Sequence, residues 1–196
     1  SKRITTREML NNWTISFMGN FVGSLTMVCW MYKTHQFDFF HQMVGAKALL
    51  IAHTKVGRTF KTALARGVLC NAMVCLAVWL CFSGRTAADK ILSIVFPIGG
   101  FVASGFEHCV ANMYFIPMGI ILRKHPEVVA AAEKMAGKAL DFSQLTWRGF
   151  FINNLFPVTL GNIVGGVILV GIMFWFVYLR PHISFSLNVK QDFFNK

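Results

Sequence analysis

Gly149-Phe-Phe-Ile-Asn-Asn-Leu-Phe-Pro-Val-Thr-Leu-Gly-Asn-Ile-Val-Gly-Gly-Val-Ile-Leu-Val-Gly-Ile-Met-Phe-Trp-Phe-Val-Tyr-Leu179 carries no charged side chain. The hydrocarbon slab of a bilayer is about 30 Å thick and takes about 20 apolar residues per helix, so this run crosses it with residues to spare. Its surroundings agree. The chain of 196 residues is 55% hydrophobic and only 14% charged, with a mean hydropathy of +0.54. Those values lie outside the range of soluble domains of this size. Because lipid offers no partner for a bare peptide group, long apolar runs there are read as helices. An all-α integral membrane protein is expected.

Working outward, four membrane segments are expected, at about 9–32 (A), 67–84 (B), 91–122 (C) and 149–179 (D). They make up a single membrane domain spanning 1–196, with 180–196 as a polar tail. Segment C is broken in charge only by Glu107 and His108. Both C and D are too long for one straight helix, and they carry Pro97, Pro117 and Pro157, each of which removes a backbone donor. Discontinuous helices are therefore expected in both, flanking a pathway where freed backbone groups meet protein or water. The A–B loop mixes Phe37, Phe39, Phe40 and Met43 with His35, His41 and His53, which reads as a short interfacial helix with solvated histidines. Pro126-Glu127 predicts a short connecting helix in the C–D loop.

Composition excludes several classes. The five cysteines, at 29, 70, 75, 81 and 109, lie in apolar segments without a CxxC pair, so neither a disulfide framework nor a zinc site is indicated and no cofactor is expected. The net charge of +11 is spread over loops rather than gathered on one face, which argues against nucleic acid and for anion attraction and membrane flanks. The opening Ser1-Lys2-Arg3 is not followed by the pattern of a secretory signal, so no export cleavage is expected. Loop charge does not orient the chain: eight Lys or Arg on one side face ten on the other.

Segment A contains Gly19-Asn20-Phe21-Val22-Gly23-Ser24 and segment D contains Gly161-Asn162-Ile163-Val164-Gly165-Gly166. Two crossings lie between them, so A and D run in opposite directions, and one motif on antiparallel helices points to an inverted repeat with a site near the midplane. The glycines also suit close helix packing, which is compatible with a repeat. If B, C and D form one unit, A closes a second whose first two helices are expected to precede residue 1.

Ionisable groups at membrane depth are costly unless paired or lining a pore. His108 is the group to explain, because an unperturbed imidazole, with a pKa of about 6.5, exchanges a proton near neutral pH and donates to anions. Glu107 sits about 100° away on a helix, so the two share one narrow pore only if the helix breaks, which Gly105 permits. Glu107 is read as polar support, capping freed N–H groups or pairing with a lysine. Lys55 precedes segment B where a positive charge concentrates anions. Asn71 and Asn112 are amides in apolar settings that need partners, either orienting the histidine or holding helices together. Phe101, seven residues before His108, suits an apolar gate.

Together the Gly-Asn of segment A, Asn71-Ala-Met-Val-Cys-Leu-Ala-Val-Trp79, Gly105-Phe-Glu-His-Cys-Val-Ala-Asn-Met113 with Pro117, and Pro157-Val-Thr-Leu-Gly-Asn-Ile-Val-Gly-Gly166 resemble the formate/nitrite transporter family, and its formate channels in particular. The resemblance covers nearly all of residues 10–180. It implies an aquaporin-like helical bundle of six helices per protomer with inverted three-helix repeats, cytoplasmic termini and a homopentamer with a pore in each protomer. It further implies His108 as the central pore histidine, Phe101 as a constriction phenylalanine, Lys55 as the vestibule lysine and Asn71 as a pore-side asparagine; Asn20 and Asn162 of the repeated motif are read separately as structural support. The family's first two helices, including the broken second one and its threonine-bearing loop, have no counterpart in residues 1–196.

The expectation is a multi-pass channel or transporter of the bacterial inner membrane, not an enzyme. It carries small monovalent anions: formate foremost, with nitrite, acetate, lactate or hydrosulfide as alternatives, and protons as a second partner if transport is coupled. Two rival expectations stand beside it. One is a truncated fragment that does not conduct. The other is a membrane-embedded metal or redox protein built on Glu107 and His108, which is short of ligands for a typical site of three or four.

Overall fold

The computed structural model describes residues 4–179, and every regular element among them is helical. The opening Ser1-Lys2-Arg3 and the expected tail at 180–196 lie outside the described residues. Besides a single 3₁₀ turn at Gln36–Asp38, seven helices follow in order among the described residues: α1 Thr6–Lys33, α2 Met43–Val56, α3 Phe60–Ser83, α4 Ala87–Ala103, α5 Cys109–Leu122, α6 Pro126–Ala136 and α7 Trp147–Tyr178. Of these, α1, α3 and α7 are long and apolar enough to cross a bilayer. Segment C is not one span but two shorter helices, α4 and α5. The chain divides into two compact units, Ser1–Ala63 with Glu107–Val158, and Leu64–Phe106 with Thr159–Lys196.

In the first unit, α1 starts at a capping box. Thr5 Oγ1 accepts the Glu8 N–H at 3.2 Å, and the Glu8 carboxylate accepts the Thr5 N–H at 2.7 Å. Lys33 in its last turn faces the negative end of the helix dipole. Trp13, Ile15, Met18, Val22, Met27 and Trp30 remain exposed, as on a helix solvated by lipid. The core lies between α2 and α5. Ala46, Leu49, Ala52 and Val56 recur at helical spacing on α2 and are buried with Met113, Ile116 and Ile120 of α5. Gly119 permits that approach, since a Cβ there would strike the Ala52 methyl. Between helices in a bilayer, close packing of such side chains supplies the attraction, rather than their removal from water. On the other side of α2, Gly45 admits the Phe37 carbonyl and Val128 of α6. Helix α6 has Pro126 in its first turn and ends at Gly137, whose φ of +68° closes the helix.

Within the second unit, α7 meets α3 through the Gly-Asn motif. A Cβ at Gly161 would strike the Leu64 carbonyl, one at Gly165 the Val68 carbonyl, and one at Gly166 the Asn71 amide. The contact is therefore backbone to backbone. The equivalent Gly19 and Gly23 of α1 have no atom within 4 Å of a would-be Cβ.

The prolines do not break their helices. Chain winding continues through Pro97, Pro117 and Pro157, and α7 adopts π geometry over Phe150–Leu155, just ahead of Pro157. A missing donor is absorbed there by a wider turn instead of a gap.

Candidate functional site

The break in segment C lies at 104–108 and is built by glycine. Gly105 has φ +65°, its N–H reaches the Val102 carbonyl at 3.0 Å, and the Phe106 N–H reaches the Phe101 carbonyl at 3.0 Å. Those two bonds are the Schellman pair that satisfies the last carbonyls of α4. Phe101 is thus placed three residues inside the C-terminal cap. Arg66 Nη1 donates to the Gly105 carbonyl at 2.9 Å, holding the left-handed residue to α3.

Two residues later the chain starts again as α5, with His108 at its N-cap. Its backbone is extended and its Nδ1 accepts the Ala111 N–H at 3.4 Å. An accepting Nδ1 corresponds to the tautomer whose proton is on Nε2. Glu107, lying in neither helix, turns wholly into the first unit and is 0% exposed.

Around the Glu107 carboxylate the first unit gathers a polar cluster. Lys55 Nζ stands 3.1 Å from Oε1 and 3.2 Å from Oε2, and Arg58 Nε donates to Oε1 at 3.0 Å. Asn112 Nδ2 donates to Oε2 at 2.7 Å and also to Asn154 Oδ1 at 2.7 Å. Asn154 Nδ2 in turn reaches Oε2 at 3.2 Å and the Lys55 carbonyl at 3.0 Å. A carboxylate removed from water would cost several kcal/mol if left alone; two cations and two amides offset that cost. Lys55 is not a loop residue: it lies in the last turn of α2, and its ammonium is also 5.8 Å from the Phe115 ring centre. His53, one of the expected solvated loop histidines, is likewise helical and half-buried, edge-on to Phe142.

Asn71 and Asn162 come together in the second unit. Asn71 Nδ2 donates to the Asn162 carbonyl at 2.6 Å, and Asn162 Nδ2 donates to the Gly67 carbonyl at 2.8 Å. This pair links α3 to α7 at the glycine contact. Asn20, in the equivalent motif position, is exposed and bonds its own helix at the Ser16 carbonyl. Among the described residues no group of three or more His, Cys, Asp or Glu is close enough to hold a metal ion.

Two members of the cluster escaped the reading of the sequence, Arg58 and Asn154. Asn154 carried a usable signal, a second buried amide in an uncharged run, by the same reasoning applied to Asn112. Arg58 stood among several loop cations with nothing local to single it out.

The family model for the formate/nitrite transporters matches residues 1–176. The chain belongs to the formate/nitrite transporter family. Over 184 residues it is 44% identical to the formate channel FocA of Escherichia coli (strain K12), a match covering 93% of this chain and 64% of that protein. The formate channel FocA of Haemophilus influenzae is 44% identical over 170 residues, covering 87% of this chain and 60% of that one. Among solved structures, a pentameric formate channel with formate bound superposes with a TM-score of 0.80 at 41% identity, over 91% of this chain and 70% of the other. The chain thus spans somewhat under two thirds of the length of these curated relatives, at 64% and 60%. A member of this family with three helices of membrane-crossing length is a multi-pass membrane protein. Its relatives are channels and transporters, not enzymes.

Proposed function

We propose that this formate/nitrite transporter family member conducts small monovalent anions, formate first, across the bacterial inner membrane. It works as a homopentamer of aquaporin-like protomers, each a single membrane domain containing inverted repeats. The observation that supports this reading is the placing of His108: set outside helix geometry after Gly105 and capping α5 through Nδ1, an arrangement that corresponds to the tautomer with its proton on Nε2, from which an imidazole donates to an anion. That two of its relatives are named formate channels supports formate as the first anion.

In this mechanism Lys55 draws the anion in, Phe101 strips its hydration and His108 donates a hydrogen bond to it. Asn71 and Asn162 tie α3 to α7, Asn112 and Glu107 support the start of α5, and Asn20 braces its own helix. Proton-coupled passage needs one further step. The imidazole takes up a proton at Nδ1, displacing the Ala111 N–H, and the resulting imidazolium gives its Nε2 proton to formate. Neutral formic acid leaves the imidazole protonated at Nδ1; loss of that proton to water and uptake of one at Nε2 restore the starting tautomer, in which Nδ1 again accepts the Ala111 N–H. Nitrite, acetate, lactate and hydrosulfide are the competing substrates.

The test is formate flux into vesicles at several pH values. His108→Asn keeps a side-chain donor but has no titrating proton, so its flux is expected to lose pH dependence. Flux in that variant with unchanged pH dependence would overturn the mechanism. No formate flux in the intact wild-type protein would overturn the substrate.

A further inference from the structure

Glu107 holds more positive charge than it neutralises. Lys55 and Arg58 both reach its carboxylate, at 3.1 and 3.0 Å, and the two side chains that donate to it beside them, Asn112 and Asn154, are neutral amides. Among the described residues neither cation has a second acid within ion-pair distance. The three ionised groups therefore sum to one net positive charge. The carboxylate is 0% exposed while the Lys55 and Arg58 side chains are 13% and 16% exposed, so the uncancelled charge sits at the solvent edge of a buried cluster.

Arg58 is the outer member. Only its Nε is engaged, and its two Nη groups have no partner among the described residues. It stands in the turn between α2 and α3, directly ahead of Thr59, whose Oγ1 accepts the Thr62 N–H at 3.3 Å in the first turn of α3. The positive end of that helix adds to the same field. A guanidinium already oriented through Nε presents its remaining N–H groups as a planar fork, which matches the two oxygens of a small carboxylate or of nitrite. A lysine offers only a point charge, and a spherical anion lacks the two separate acceptor atoms that align one with each prong.

We infer that Arg58 is a second anion-binding cation of this protein, taking small planar oxyanions on its Nη groups while Glu107 pins it beside Lys55. The inference deepens the anion-transport reading and rests on it for the physiological ligand. Glu107 then acts as a clasp that holds two like charges together, leaving one of them for the ligand.

The test is binding to the intact purified protein of sodium ¹³C-formate, followed by its NMR line width, with sodium nitrite and sodium chloride as competitors. Removing a unit charge beside a partly exposed ligand is expected to weaken formate and nitrite about tenfold in Arg58→Gln. Arg58→Lys restores the charge without the fork, so it is expected to recover chloride competition more fully than oxyanion binding. Wild-type affinities in Arg58→Gln would overturn the inference, as would an Arg58→Lys protein with the wild-type preference for oxyanions over chloride. The second variant decides the matter if the first fails to fold. Nitrite binding that depends on Arg58, without formate binding, would support the site and overturn formate as substrate. Absence of binding by all three anions to the wild type would overturn the inference itself.

Discussion

Glu107→Gln is the sharpest perturbation of this fold, because it changes one charge and almost no volume. Four side chains converge on that carboxylate: Lys55 on both oxygens, Arg58 on Oε1, and Asn112 and Asn154 on Oε2. Glutamine keeps one acceptor oxygen but turns an amide toward donors, and it leaves two cations facing each other. Removing one member of a buried ion pair costs about 3–5 kcal/mol. Here both cations are slightly exposed, 13% and 16%, so solvent screens part of that and about 2–4 kcal/mol is expected. For a chain of this size that corresponds to a fall of roughly 10 °C in the unfolding midpoint. Circular dichroism of the detergent-solubilised protein at a fixed scan rate measures it. The double variant Glu107→Gln with Arg58→Gln removes the unpaired charge along with the acid, so it is expected to melt above the sum of the single effects by at least about 1 kcal/mol of coupling. A Glu107→Gln midpoint within about 2 °C of wild type, or strictly additive singles, would refute the reasoning that the cluster is held by its charges.

The two copies of the Gly-Asn motif are expected to respond oppositely to one methyl group. In Gly165→Ala the new Cβ lands on the Val68 carbonyl, costing about 1–3 kcal/mol, whereas Gly23→Ala meets open space and gains up to about 1 kcal/mol of helix propensity. Thermal unfolding of both variants checks this, and equal shifts would refute it. His53 supplies a pH dependence. Burial is the main cause holding its pKa below the ordinary imidazole value, aided by Lys138 and opposed by Asp141. The unfolded chain therefore takes up the proton first, so stability falls with pH from just above about 6.5 down through the folded value. His53→Gln is expected to flatten that part of the curve, read as unfolding midpoints at pH 7.5 and 5.5, and an unchanged slope would contradict the assignment.

What was legible in the chain followed from local chemistry. Uncharged runs marked α1, α3 and α7, since membrane length and charge exclusion are properties of consecutive residues. Gly105 marked the interruption of segment C, because only a residue free to adopt positive φ closes a helix so abruptly. The prolines misled: they signal one missing donor, and a helix absorbs that loss without changing direction of winding. Partner choice was illegible for the opposite reason. Lys55, Arg58 and Asn154 meet Glu107 across sequence separations of 52, 49 and 47 residues, and no period or spacing encodes those encounters. Nor does the motif shared by α1 and α7 tell which copy is packed, since the same glycines lie against α3 in one helix and against nothing within 4 Å in the other.

The adjacency of Glu107 and His108 joins these strands. On an unbroken helix an acid and an imidazole one residue apart diverge by about 100°, and neither is free to choose its surroundings. By ending α4 at a left-handed glycine and starting α5 at the histidine itself, the chain puts both residues outside helical geometry. The carboxylate can then turn fully into a cationic cluster while the imidazole stays at the cap, its Nδ1 on the Ala111 N–H. Gly105→Ala is therefore expected to disturb both at once: a side chain at φ +65° costs about 1 kcal/mol or more, and its Cβ would sit 3.3 Å from the Arg66 guanidinium.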